Sequence, residues 1–155
     1  MKNIFSPSKF TIDKSGNSTA IYPKQKYFKI DNKVIKKLIL FSKGNKNCNV
    51  RICLHKNSKQ ILQNMIVLLN KKNSTKPPIH KHLLKDEVYQ VIYGILKIDI
   101  YKKKKIFKKM TLEKNNNLII RLKKNEFHKV YPKNNIVIFH EIRPGPFNKN
   151  DSIYL

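Results

Sequence analysis

Apolar residues follow two different rhythms along this chain, and the change comes near residue 50. In "DNKVIKKLILFSKG" (31–44), Val34, Ile35, Leu38, Ile39 and Phe41 recur at helical offsets. Asp31 or Asn32 suits the N-cap and Gly44 falls where a left-handed C-terminal residue belongs, so the stretch predicts one amphipathic helix. Residues 1–30 mix turn formers with one short apolar piece, "KYFKI", and are expected to form an arm or edge strand ahead of a domain spanning 31–155. From Val50 onward, short apolar runs alternate with polar turns. "NVRICLH" reads as a strand, "NSKQILQ" as a single capped turn and "MIVLLN" as a buried strand. "EVYQVIYGILKIDIY" reads as a strand pair broken near Gly94, and "KIFKKMTL", "NLIIRL", "FHKVYP" and "NIVIFHEI" complete the series. With no helix between these runs, the fold class is mainly β: antiparallel sheets closing on themselves, led by one helix.

The chain has 155 residues, the length of one domain able to bury its own core. Its net charge of +25 would ordinarily point to a polyanion. Only Arg51, Arg121 and Arg143 are arginines, however, and lysine is accompanied throughout by asparagine and isoleucine, all residues with A/T-rich codons. Phosphate recognition by bidentate contact favours arginine, so the excess reads as base composition and no specific nucleic-acid partner is expected. The charge run "YKKKKIFKK" reads as a solvated hairpin tip. Cys48 and Cys53 have neither disulfide-framework nor zinc-finger spacing, and no apolar run approaches a membrane span. A cytoplasmic protein without a membrane span is expected.

The stretch "KPPIHKHLLKDEVYQVIYG" (76–94) carries the candidate chemistry. On a strand, side chains alternate, so His80 and His82 share a face while Lys81 points away, and Pro77 and Pro78 bar helix there. A turn over "LLKD" brings Glu87 to the start of the next strand, where its carboxylate can join the two imidazoles. Two histidines and a carboxylate suit one divalent first-row ion such as Mn, Fe, Ni, Cu or Zn. A fourth ligand must come from elsewhere, and His128 in "KKNEFHKVYP" follows a turn and opens an alternating stretch. A lone His-x-His is commonly plain surface or core polarity; the joint pattern sets this stretch apart.

"HKHLLKDEVYQVIYG" resembles the first motif of the cupin superfamily, His-x-His-x4-Glu-x6-Gly, with its spacing intact. The second motif, Pro-x-Gly-x-x-His, is matched in part: Lys123 stands at the proline, Asn125 at the glycine and His128 at the histidine. Asn is the non-glycine residue that best tolerates a left-handed turn. Pro132 replaces an expected asparagine and Ser74 an expected glycine. Over roughly 30–150, the order helix, "RICLHKN", "QILQNMIVLL", "PPIHKHLLKDE", "VIFHEIRPGPFNKND" is similar to the WbuC family of cupin-fold metalloproteins. That resemblance implies a double-stranded β-helix (jelly-roll) barrel, one bound metal and a setting in bacterial O-antigen or lipopolysaccharide synthesis.

Other residues have two readings each. Arg51 and His55, four apart on a strand, would line a pocket mouth with Arg51 on an anionic group, or be a surface arginine and a packed histidine. Tyr89 would line the cavity or pack in the core, and Gln63 would orient a ligand. Cys53 reads as a buried thiol. Of His140 and Glu141, one at most faces the pocket, and His140 is not expected to be a ligand. Arg143, beside Pro144-Gly145-Pro146, would reach an anionic ligand or close the barrel. The leading function is a metal-dependent cupin acting on a small polar molecule, a sugar or sugar nucleotide, as an isomerase or oxygenase. The alternatives are a non-catalytic metal or small-ligand module and a metal-free sugar-nucleotide epimerase or isomerase. A homodimer joined at sheet edges, with the first 30 residues as an exchanged strand, is the expected assembly.

Overall fold

The computed structural model describes residues 4–73, 78–116 and 118–155. Ser74 and Pro77, and Asn117 at the head of "NLIIRL", lie outside the described residues. The chain forms β1 (Phe10–Asp13), β2 (Thr19–Pro23), helix α1 (Asn32–Gly44), β3 (Val50–Cys53) and β4 (Leu62–Asn70). It continues through β5 (His80–His82), β6 (Glu87–Tyr93), β7 (Ile95–Lys102), β8 (Lys105–Glu113), β9 (Ile119–Leu122), β10 (Phe127–Pro132), β11 (Ile136–Pro144) and β12 (Ser152–Tyr154). A seven-stranded sheet in the order β1-β2-β3-β4-β11-β6-β9 faces a five-stranded sheet in the order β12-β5-β10-β7-β8, giving a mainly β jelly roll with one helix.

Two cores explain the texture of the sequence. Met65, Val67, Val91, Ile98 and Phe139 pack between the sheets. Ile35, Leu38 and Phe41 of α1 pack with Phe5, Ile21, Ile52, Ile66, Leu68 and Ile138 on the outer face of the seven-stranded sheet. β4 and β11 are therefore buried on both faces, which is why "MIVLL" and "VIF" show no alternation. β7 faces the barrel on one side only, so Ile98 and Ile100 alternate with polar positions.

Asp31 caps α1, its Oδ1 accepting the Val34 N–H at 3.0 Å. The helix ends differently from the expectation: Gly44 is its last residue, not a left-handed cap. The Asn45 N–H and side-chain amide both donate to the Phe41 carbonyl, at 3.1 and 2.8 Å, and the left-handed conformation falls on Lys46 and Asn47. With the carbonyl satisfied that way, glycine is not required. The turn expected over "NSKQILQ" is also shorter, because the ladder with β11 runs to Leu62↔Pro144. β2 pairs with β3 in parallel, against the antiparallel expectation, since α1 supplies the crossover that a parallel pair needs. No helix among the described residues is long and apolar enough to cross a membrane.

Gly94, at φ 78°, is the joint where the chain leaves β6 in one sheet and enters β7 in the other. The lysine run forms the two-residue β7–β8 hairpin tip, with Lys103 and Lys104 both left-handed at φ 47° and 63°. This turn geometry suits Asn-Gly. Replacing Lys103-Lys104 with Asn-Gly should stabilise the fold by about 1 kcal/mol, read as a raised urea midpoint at unchanged slope; a lowered midpoint would contradict that turn.

Candidate metal centre and its cavity

His80, Glu87 and His128 offer ligand atoms that all lie within 4.8 Å of one another. The topology brings them together from both sheets. β5 and β10 pair with His128 directly opposite His80, and Glu87 reaches across from β6 in the facing sheet. His80 Nδ1 lies 3.3 Å from the Pro78 carbonyl and His128 Nδ1 lies 2.9 Å from the Glu126 carbonyl. A carbonyl only accepts, so each Nδ1 carries a proton, and in the neutral ring Nε2 is left to present its lone pair. Burial pulls the His80 pKa down to about 4, which keeps that ring neutral.

Glu87 is 2 % exposed and fully engaged. Oε2 accepts the Tyr89 hydroxyl at 2.8 Å and lies 3.2 Å from His128 Nε2; Oε1 lies 3.1 Å from His82 Nε2 and 3.5 Å from Arg143 Nη1. Burial would push the Glu87 carboxyl up, but His128 and His82 hold it well below the ordinary range. Burial likewise opposes charging of His128, yet the hydrogen bond and charge of Glu87 hold its pKa up. His128 Nε2 is buried, and its neighbour in the cluster is the Glu87 carboxylate at 3.2 Å. Two imidazoles and a carboxylate, with their ligand atoms all within 4.8 Å, fit a divalent transition ion.

His82 stands apart from that group of three. Its Nε2 meets Glu87, while its Nδ1 lies 3.2 Å from Ser152 Oγ and 3.8 Å from Asp151 Oδ2. Asp151 and Ser152 were not singled out from sequence. Asp151 is buried, accepts the Leu84 N–H at 2.8 Å and lies 3.7 Å from Lys85 Nζ. The only local signal was the alternation of "SIYL", which becomes β12 and also sets Tyr154 over His80 at 5.9 Å.

The second-motif turn keeps its geometry with asparagine in place of glycine. Asn125 adopts φ 66°, and its N–H donates to the His82 carbonyl at 2.7 Å, tying the two motifs together. Asn125→Gly should leave stability within about 0.5 kcal/mol, whereas Asn125→Val should cost about 1–2 kcal/mol; equal chemical melts for the two variants would contradict this.

A cavity of about 810 Å³ opens beside His80 and His82, and its walls include Arg51, His55, Glu141 and Arg143. Arg51 donates to Ser18 Oγ on the β1–β2 loop. β3 ends at Cys53, so His55 lies beyond the strand, buried, with Nδ1 accepting the Asn64 N–H at 3.1 Å. Burial lowers the His55 pKa. Tyr89 sits in the barrel core against Phe139, 2 % exposed, and reaches the site through Glu87. Burial, reinforced by the Glu87 charge, pushes the Tyr89 hydroxyl far up, so it remains a donor. Cys53 is buried in the same core, and burial raises its thiol pKa. Glu141 faces the cavity with its carboxylate 3.8 Å from Arg143 Nε, whereas His140, on the other face, contacts Asn64 Oδ1 at 2.5 Å. Gln63 donates to the Gln60 carbonyl at 2.9 Å. A Cβ at Gly145 would lie 1.8 Å from that carbonyl, so the Pro-Gly-Pro turn closes against residues 57–60 only with glycine.

No protein-family profile matches the sequence, and no curated protein matches it. Solved structures are similar in fold. CapF bound to the inhibitor 3-isopropenyl-tropolone aligns with 70 % of this chain at 13 % identity and TM-score 0.52, and the chain spans 31 % of CapF. CapF from Staphylococcus aureus, a capsular polysaccharide assembling protein, aligns over 63 % of this chain and 27 % of its own at 15 % identity and TM-score 0.47. A protein from Shewanella oneidensis aligns over 76 % of this chain and 83 % of its own at 12 % identity and TM-score 0.54. A cupin superfamily protein from Desulfitobacterium hafniense covers 62 % of this chain and 76 % of its own at 12 % identity and TM-score 0.45. The two facing sheets, with paired histidines on one and a glutamate on the other, form the jelly-roll barrel that the resemblance to cupins implies.

Proposed function

We propose that this chain is a WbuC-type cupin that holds one divalent transition ion, Mn, Fe, Ni, Cu or Zn, and acts on a small sugar or sugar nucleotide in O-antigen or lipopolysaccharide synthesis. The observation that carries the metal is the buried meeting of His80, Glu87 and His128, whose ligand atoms all lie within 4.8 Å of one another. His80, Glu87 and His128 would hold the ion, with His82 joining them through Glu87. When bound, such an ion would supply Lewis acidity at the cavity. The protein's part is orientation: backbone carbonyls fix both Nδ1 protons, Tyr89 pins one carboxylate oxygen, and Arg143, 17 % exposed, places a fixed positive charge at the cavity. The polysaccharide setting draws on CapF and on the sequence resemblance. Action in the cytoplasm and a homodimer paired at a sheet edge belong to the same reading.

A metal-free reading has one observation behind it. Arg143 Nη1 lies 3.4 Å from His82 Nε2 and 3.5 Å from Glu87, so a cation already faces that end of the carboxylate. Elemental analysis of protein purified without added metal separates the two. We expect close to one first-row ion per chain, lost in His80→Ala; parent protein that neither carries nor takes up any of the five ions would overturn the metal assignment.

A further inference from the structure

Lysine supplies nearly all the positive charge of this chain, so the places where arginine stands are informative. Of the three arginines, Arg121 is a surface residue, 3.9 Å from Asp86 and 60 % exposed. Both others line the one cavity beside the candidate metal centre. Arg143 is matched there by Glu87 and Glu141. Arg51 is not: it is half-buried, and among the described residues it forms no ion pair with a carboxylate.

The position of Arg51 is set by the sheet. It lies on β3 between Ala20 and Val67, whose small and apolar side chains leave its head to project over the cavity. The β1–β2 loop folds over that head, close enough that a Cβ on Gly16 would lie 3.9 Å from Nη2. Ser18 Oγ accepts from Nη1, which leaves the hydroxyl proton free to donate onward. A guanidinium carries more N–H donors than one hydroxyl can satisfy, and a planar fork beside a free O–H matches an oxyanion. The acids on the same wall, Asp13 and Glu141, feel the Arg51 charge without pairing with it: Asp13 Oδ1 accepts the Ser15 N–H at 2.8 Å, and Glu141 sits 3.8 Å from Arg143 Nε.

We propose that Arg51 and Ser18 form an oxyanion subsite at the mouth of the barrel cavity, so that the ligand is a small polar molecule bearing a phosphate or carboxylate group. This rests on reading the cavity as the ligand site and assigns the β1–β2 hairpin, outside the closed barrel, a role in selecting that ligand by charge. The metal centre would hold one end of the molecule and Arg51 the other.

Binding of glucose, glucose 1-phosphate and glucuronate, measured by calorimetry on the parent as purified and after chelator treatment, tests it. We expect one or both charged probes to bind at least about tenfold more tightly than glucose, and which of them does so identifies the group. Arg51→Gln should abolish the preference, Arg51→Lys should restore it only in part, and Ser18→Ala, the milder change should Arg51→Gln unfold, should reduce it. Metal content should stay at the parent's level in all three variants, and His80→Ala should keep the charge preference while losing metal. Equal affinity for charged and neutral probes, no binding of either charged probe at millimolar concentration, or a preference that survives Arg51→Gln would overturn the subsite. Parent protein that neither carries nor takes up any of the five ions, yet prefers the charged probes, would overturn the metal assignment alone.

Discussion

Glu87→Ala protein should leave purification with almost no bound metal and unfold at markedly lower denaturant than the parent. Partners that merely orient a ligand are worth about 10- to 100-fold in metal affinity, so loss of the single carboxylate among the candidate ligands should cost on the order of 100-fold or more. Stability falls for a separate reason. Glu87 is the common neighbour of His82, His128, Tyr89 and Arg143. Removing one partner of a buried charge pair costs about 3–5 kcal/mol; Arg143 retains Glu141 at 3.8 Å, which places the expected loss near the lower end. Elemental analysis and urea unfolding measured together check both effects. Full metal occupancy in Glu87→Ala would remove Glu87 from the ligand set, and an unchanged midpoint would show that its polar contacts contribute nothing net.

Gly94→Ala should cost about 3 kcal/mol, lowering the melting temperature by roughly 6–12 °C for a domain of this size. Left-handed backbone alone costs a β-carbon about 1–2 kcal/mol. The remainder comes from contact: the added Cβ would sit 2.5 Å from the Ile136 carbonyl and 3.3 Å from Val137 Cα, both backbone atoms that cannot turn aside. Because Gly94 joins the strand carrying Glu87 to the strand paired with His128, metal content should fall along with stability. A melting temperature within about 2 °C of the parent would show that β11 can retreat from the joint without cost.

Much of the centre could be read in the chain because its information is local. His80 and His82 share a face through strand alternation, Glu87 follows one turn later, and the strand pair breaks at a glycine whose left-handed φ no other residue adopts as readily. Asn125 was readable for the same reason, since its side chain is tolerant of the conformation the turn requires. Asp151 and Ser152 were not, because nothing in "NKNDSIYL" shows that the tail returns to pair with β5, 70 residues earlier for Ser152 and His82. The division between Arg51 and Arg143 was equally hidden, since each has acceptable readings on the surface.

Periodicity and turn chemistry thus determine that this chain makes many short strands, one leading helix and a His-x-His ahead of a glutamate. They do so because side-chain direction and allowed φ are properties of a few consecutive residues. Which imidazoles share a carboxylate, which arginine is neutralised and which is left facing the cavity are settled by packing. Those relations join residues from opposing sheets, and the energies involved exist only once the sheets have closed and water has left the space between them.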